Sequence, residues 1–338
     1  MRRFRLTVPL LILTLVAACS GGVGPSPTTQ PSPTAAPSPT TAPSPTPALT
    51  PAPLTLVDDE GTTTTLSSVP HAVVSLTPAT TELLFALGAG GLLRGRTDQD
   101  DYPAQASALP VVATFEGVHM EDVVGIAPDL VIAGGNNFTH ADDIARLREL
   151  GIPVIVVYAT DVAGVLADIR LVGKAVGEEQ AATGIVGAIQ TRIDEVAGAV
   201  AGLDRPRTFY EIGYQPDIYG PAPDSFVADM VNLAGGDPIT TTDPTVYSIA
   251  LERLVTLDPQ VIVLGDAPYG TCPSDVAGRA GWTGMSAVRD GQIRPVDDVV
   301  VTRPGPRLGE GLAALALAIH PDAVIAKPTA GTDYCPTP

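Results

Sequence analysis

The stretch "MEDVVGIAPDLVIAG", Met120 to Gly134, reads as a short helix, a proline stop and a buried strand. The chain writes the unit again as "LERLVTLDPQVIVLG", Leu251 to Gly265, 131 residues later. In register, Glu121 meets Glu252, Val124 meets Val255 and Pro128 meets Pro259, and an apolar run follows each proline. A unit that occurs twice implies two lobes of one plan, each carrying a glutamate at the head of a helix.

The surroundings of both copies extend this reading. "LTLVDDEGTTTTL" (Leu54 to Leu66) is a hairpin turned at Asp59-Glu60-Gly61. "AVVSL" is a strand, Thr77-Pro78 a turn, "TTELLFALG" a helix closed by Gly88, and "LLRGRT" a second strand. "APDLVIAG" and "IPVIVVY" are short Val/Ile runs suited to strands covered on both faces. Strands alternating with helices predict an α/β lobe with a mainly parallel sheet.

From Asp161 to Ala201 there is no proline and no strand-like run. Ile185, Ile189, Ile193, Val196 and Val200 place one apolar stripe on a helix of about 24 residues and so about 36 Å, with Gly177 separating it from a preceding helix. That length crosses a domain rather than caps a sheet. After "LDRPR" the alternation restarts: "TFYEIG" is a strand and "DSFVADMVNLAGG" a helix with Asp224 as its cap. The repeat, "GWTGMSAVRDGQIRPVD" and a last helix "GEGLAALALAIHP" follow. The expected architecture is two Rossmann-like α/β lobes, 54–160 and 204–330, joined through a helical segment, 161–203, by a single long backbone helix, with a tail at 331–338.

The ends of the chain speak about place. "MRRFRLTVPLLILTLVAACS" carries three arginines, a largely apolar run and small residues before Cys19, the pattern of a secretory signal over residues 1–18. "VAAC" matches the lipoprotein cleavage pattern, with Cys19 as the lipidated N-terminus of the mature chain; an ordinary signal is the alternative. Ser20 to Pro53 holds eleven prolines and no charged residue, an extended tether of at most about 100 Å at roughly 3.1 Å per residue. A folded part of about 285 residues is then held beside a membrane, outside the cytoplasm, in the cell envelope.

The formal net charge is -18, and loss of residues 1–18 with their three arginines takes it to -21. Nucleic acid and anionic lipid both call for basic surface, so both are excluded as partners. Cys272 and Cys335 lie in an oxidising compartment on this reading and are expected to form a disulfide, two free thiols being the alternative.

"VVSLTPATTELLFALGAG", "TDQDDYPAQASALPVV", "MEDVVGIAPDLVIAG", "VNLAGGDP" and "RPGPRLGEGLAALALAIHPD", taken in order, resemble the helical-backbone solute-binding proteins of ABC importers. Within these the likeness is to the branch that binds cobalamin and ferric siderophores, and it covers about Leu54 to Asp322. The resemblance implies ligand in a cleft between the lobes, a monomeric receptor, and a permease dimer with its ATPase subunits as partner. It also implies a role for the paired acids: Glu121 and Glu252 match the exposed glutamates, one per lobe, that dock on permease arginines. On physical grounds alone each glutamate sits four residues after a plausible cap, Gly117 or Ser248, where the helix dipole favours a carboxylate by roughly 0.3 to 1 kcal/mol.

Ligands of α/β sheets sit beyond the carboxyl ends of the strands. In the first lobe those loops supply Thr77, Asp98, Tyr102, Phe115, Asn136, Asn137 and Phe138; in the second they supply Tyr214, Tyr219, Tyr247, Asp266 and Tyr269. Seven of the fourteen Phe and Tyr residues fall in these loops, and flat rings on two walls suit a large planar ligand such as a corrin. The resemblance matches Phe115 to a ligand-stacking aromatic of cobalamin binders, where a tryptophan is often found, and Tyr102, Tyr219 and Tyr247 approximately to others. Arg303 faces the cleft on this reading and would favour anionic groups, whereas Arg307 is expected to cap carbonyls or pair with Asp297 and Asp298. Trp282 is expected in the core.

His71, His119, His140 and His320 are scattered without metal-ligand spacing, so no metal site is expected. Neither GxSxG nor GxxxxGK[ST] occurs, and "GAGGLLRG" follows a helix, not a strand. The function expected is therefore not enzymatic and needs no cofactor: a lipid-anchored receptor for cobalamin or a related corrinoid. A ferric siderophore or haem is the alternative cargo, and a secreted hydrolase built on Asp98, Asp266 and His140 the alternative of another class.

Overall fold

The computed structural model describes residues 53–136, 138–329 and Cys335. The signal segment, Cys19, the tether up to residue 52, Asn137 and the rest of the tail from residue 330 lie outside the described residues. The strands are β1 (Leu54–Val57), β2 (Thr63–Leu66), β3 (Val73–Ser75), β4 (Leu93–Thr97), β5 (Val111–Thr114), β6 (Gly117–Val118), β7 (Leu130–Gly134), β8 (Val154–Val157), β9 (Arg207–Glu211), β10 (Gly213–Tyr214), β11 (Ile218–Tyr219), β12 (Asp237–Pro238), β13 (Val261–Leu264) and β14 (Ile293–Pro295). The helices are α1 (Pro78–Ala86), α2 (Met120–Ile126), α3 (Ala141–Glu149), α4 (Val162–Ala175), α5 (Glu179–Val200), α6 (Phe226–Leu233), α7 (Leu251–Leu257), α8 (Pro273–Ala277), α9 (Ser286–Arg289), α10 (Asp298–Val301) and α11 (Leu308–Ile319).

One six-stranded sheet has the order β6-β5-β4-β3-β7-β8, parallel except for the short edge strand β6. A second sheet, β12-β9-β13-β14, is wholly parallel. β1 and β2 form the expected hairpin. The repeated unit supplies an interior strand of each sheet: β7 lies between β3 and β8, and β13 between β9 and β14. The helix before each ends alike, in a left-handed residue ahead of the proline, Ala127 at φ 51° and Asp258 at φ 46°.

Side chains alternate across a strand, so an interior strand feeds two cores. Leu130 and Ile132 of β7 and Val261 and Val263 of β13 enter one common apolar cluster. Val131 and Ala133 turn the other way into a core of the first sheet, and Ile262 and Leu264 into a core of the second. The common cluster is threaded by Val165, Ile169 and Val172 of α4, by Val186, Ile189 and Val196 of α5, and by Leu312 and Leu315 of α11. At about 1.5–3 kcal/mol for each fully buried aliphatic side chain, this shared core is the main adhesive between the sheets.

The segment between the sheets holds two packed helices, α4 and α5, with Gly177 at φ 78° in the turn. A Cβ on Gly173 would lie 2.4 Å from Ala182 Cβ, so glycine is what lets the pair close together. α5 spans 22 residues, about 33 Å at 1.5 Å per residue, and packs on α11 and α6. α4 contacts α1 on one side and α6 on the other, so the span between lobes is shared by two helices.

The expected caps of three helices are corrected, whereas the expected disulfide is present. α6 is capped by Ser225, whose Oγ accepts from Ala228 N, while Asp224 turns out at φ 55°. α2 and α7 begin after His119 and Ala250 without a side-chain cap, so each glutamate is the second helical residue. Gly117 and Ser248 lie upstream of those caps, in or beside strand pairing. Cys272 and Cys335 are joined in a disulfide with Cα atoms 5.6 Å apart.

Candidate functional site

Loops at the carboxyl ends of β3, β7, β8 and β9 enclose a cavity of about 630 Å³ between the sheets, floored by Asp168, Ile169 and Val172 of α4. Thr77 follows β3 and caps α1, its hydroxyl accepting from Thr80 N at 3.1 Å. Asn136 follows β7 at φ 52° and donates through Nδ2 to the Tyr158 hydroxyl at 2.7 Å. Phe115, 95% exposed, and Phe138 present rings from the first lobe, and Phe226 and Tyr247 from the second. Exposed rings grouped at one cavity form the kind of apolar patch that marks a binding groove, where a single exposed ring would not.

Ionisable groups in the cavity wall are neutralised. Asp168 is 8% exposed, and burial together with the neighbouring Asp59 carboxyl pushes its pKa up to about 8. Burial and the adjacent Tyr247 raise the Tyr158 phenol. Arg303 donates to Glu82 at 2.8 Å and to Asp101 at 2.7 Å. Arg307 forks onto the same Glu82 at 2.8 and 2.6 Å, and its guanidinium lies 4.2 Å from the Tyr102 ring centroid. Glu82 sits on α1, fully buried, so two arginines beyond β14 are tied to the first lobe. Removing one partner of such a buried pair typically costs about 3–5 kcal/mol.

Of the residues read from the sequence, Thr77, Phe115, Asn136, Phe138, Tyr247 and Arg303 line this cavity together. Asp98 lines a smaller pocket beside it. Tyr102, Tyr219 and Tyr269 do not line it. Tyr102 lies outside, against Arg307; Tyr219 is held in the β10–β11 hairpin; Tyr269 follows β13 and is exposed. Asp266 is buried away from the cavity, accepting from Thr271 Oγ1 at 2.7 Å. Tyr214 packs edge-on to Trp282, and Arg279 lies 3.7 Å from the Tyr214 centroid and bonds Glu211, which makes Trp282 core. Arg307 pairs with Glu82, not with Asp297 or Asp298, because those acids follow β14, where Asp298 accepts from Tyr210.

Glu82, Tyr158 and Asp168 were missed. Glu82 and Asp168 each interrupt an otherwise apolar helical face, which is a signal; Tyr158 ends the run "IPVIVVY", which hides it among strand residues.

A model of the family described as periplasmic binding protein matches residues 73–300. An uncharacterized ABC transporter substrate-binding lipoprotein, YvrC, of Bacillus subtilis (strain 168) is 32% identical over 274 residues, 80% of this chain and 86% of its own. A cobalamin-binding protein of Halobacterium salinarum is 30% identical over 329 residues, 94% of this chain and 85% of its own. Among solved structures, the periplasmic vitamin B12 binding protein BtuF of Vibrio cholerae superposes with a TM-score of 0.66 at 22% identity, over 75% of this chain and all but 3% of that one (97% covered). A periplasmic heme binding protein from Pseudomonas aeruginosa gives 0.66 at 25% identity, over 80% and 100%.

Asp168 generates a pH prediction. Its ordinary pKa is 3.8 and its folded one about 8, so between those values the unfolded chain loses the proton while the folded chain keeps it. Stability from this group is full below about pH 4 and falls towards about pH 8, by at most about 1.4 kcal/mol per unit. Asp168→Asn cannot ionise, so its stability relative to the parent should rise between pH 5 and pH 8, as read from urea midpoints; a constant difference would refute the assignment.

Proposed function

The chain belongs to the periplasmic binding protein family, as the substrate-binding component of an ABC importer, and we propose that its cargo is cobalamin or a related corrinoid. The observation that carries the cargo reading is the cavity's combination of exposed aromatic rings with matched charge. A corrin presents a broad apolar face and neutral amide arms, which suit rings on facing walls and hydrogen-bonding groups at the rim. A polyanionic ferric chelate needs unpaired cations, and the arginine in the wall, Arg303, is already committed to Glu82 and Asp101. No helix among the described residues is long and apolar enough to cross a membrane; the proposal of a lipid on Cys19 rests on the "VAAC" cleavage pattern. The reading is of a monomeric receptor that returns its cargo unchanged.

Glu121 and Glu252 are the handles for the permease. Both are exposed, and neither carboxylate has a hydrogen-bond or ion-pair partner among the described residues. Each heads a helix that turns back through three residues into a parallel strand, so it starts on the carboxyl side of that strand, the side of the cavity. Cargo and both handles would then face one partner surface.

Calorimetric titration with cyanocobalamin, haem and a ferric catecholate tests the cargo. Cyanocobalamin is expected to bind tightest at one site per chain and the catecholate weakest; tighter binding of the catecholate would overturn the reading. Replacing both glutamates with alanine should abolish uptake in transport assays while leaving cargo affinity within about twofold. A parallel loss of affinity would move those residues out of the docking role.

A further inference from the structure

Beside the main cavity, in the first lobe, lies a pocket of about 120 Å³. The two spaces share Gln99, Phe115 and Phe138, so a ligand stacked on the phenylalanines can extend an arm into the pocket. Its inner wall is apolar, with Leu76, Ala113 and Val118. Its polar lining includes the carboxylates of Asp98 and Asp143, the hydroxyls of Thr97, Thr114 and Thr139, the Gln99 amide and the His140 ring. Asp98 contributes a carboxylate with no hydrogen-bond partner among the described residues. Asp143, in the first turn of α3, contributes another, which accepts Val118 N at 3.0 Å and lies 3.8 Å from His140 Nδ1. Gly117 at φ 134° permits this: a Cβ there would stand 3.1 Å from Asp143 Oδ2. Thr139 is 5% exposed; its hydroxyl oxygen accepts from Gly134 N at 3.1 Å, and its own hydrogen has no acceptor among the described residues. A buried donor without an acceptor costs about 1–3 kcal/mol, and a ligand oxygen would relieve it.

An apolar neck, an unpartnered carboxylate to take N–H groups and a buried hydroxyl with its hydrogen free among the described residues match a short alkyl chain ending in a primary carboxamide. We propose that this pocket receives one carboxamide arm of the cargo, with the amide nitrogen donating to Asp98 and the amide oxygen accepting from Thr139. The assignment rests on the corrinoid reading and sharpens it. A carboxylate-tipped arm, as in haem, would set like charges together beside Asp98 and Asp143 and is rejected.

The test compares cyanocobalamin with its monocarboxylate derivatives, in each of which one amide arm has been hydrolysed, by calorimetry on the parent protein and on Asp98→Asn. Asp98 is exposed and without partners, so its replacement leaves the fold intact. For at least one derivative the parent should bind the acid at least about tenfold more weakly than the amide, and Asp98→Asn should bring that ratio to about two or below. Equal binding of every acid and its amide by the parent, or an unchanged ratio in the variant, overturns the pocket assignment while the corrinoid reading stands. Failure of every corrinoid to bind overturns both.

Discussion

The shared apolar core around α4 and α5 is the constraint on which the rest depends. Strands from both sheets, the two connecting helices and α11 contribute to one cluster, so the lobes are not separate bodies on a tether. Parting them would expose, for ten such aliphatic side chains, about 15–30 kcal/mol of burial. Nanomolar cargo binding supplies only about 12 kcal/mol. Ligand cannot drive a wide opening against that difference. The Glu82–Arg303–Arg307 cluster adds a polar tie at the cavity rim, and Asp229 of α6 adds another by accepting the amide of Val162 at the start of α4.

Fixed spacing gives the duplication its use. Two copies of one helix–strand unit, set apart by a shared core, each carry an exposed carboxylate without a partner among the described residues. On the proposed docking role, a rigid pair of handles would lose little entropy on meeting its partner. The cavity follows from the same plan, since parallel strands end in loops on one side and both sheets point those ends at the gap.

Much of this was legible in the sequence, because periodicity and turn chemistry are local. The repeated unit and the helical segment with its break at Gly177 both follow from runs of a few residues. So do the cavity positions of Phe115 and Phe138, which follow the ends of β5 and β7. What stayed hidden depends on distant partners. Glu82 meets its arginines 221 and 225 residues away, and nothing near Arg303 hints that its charge is already matched. Asp266 obeys the strand-end rule yet folds back on Thr271. Asp168 interrupts an apolar helical face, but the Asp59 carboxyl that raises its pKa comes from a distant hairpin.

Rigid spacing is tested most directly by a distance across the cleft. Spin labels at the exposed positions Ser107 and Asp290, one per lobe, report it in solution with and without saturating cargo. A shift of less than about 2 Å on binding is expected. A contraction well beyond that would mean the lobes close on their cargo, and the shared core would no longer be what sets their separation.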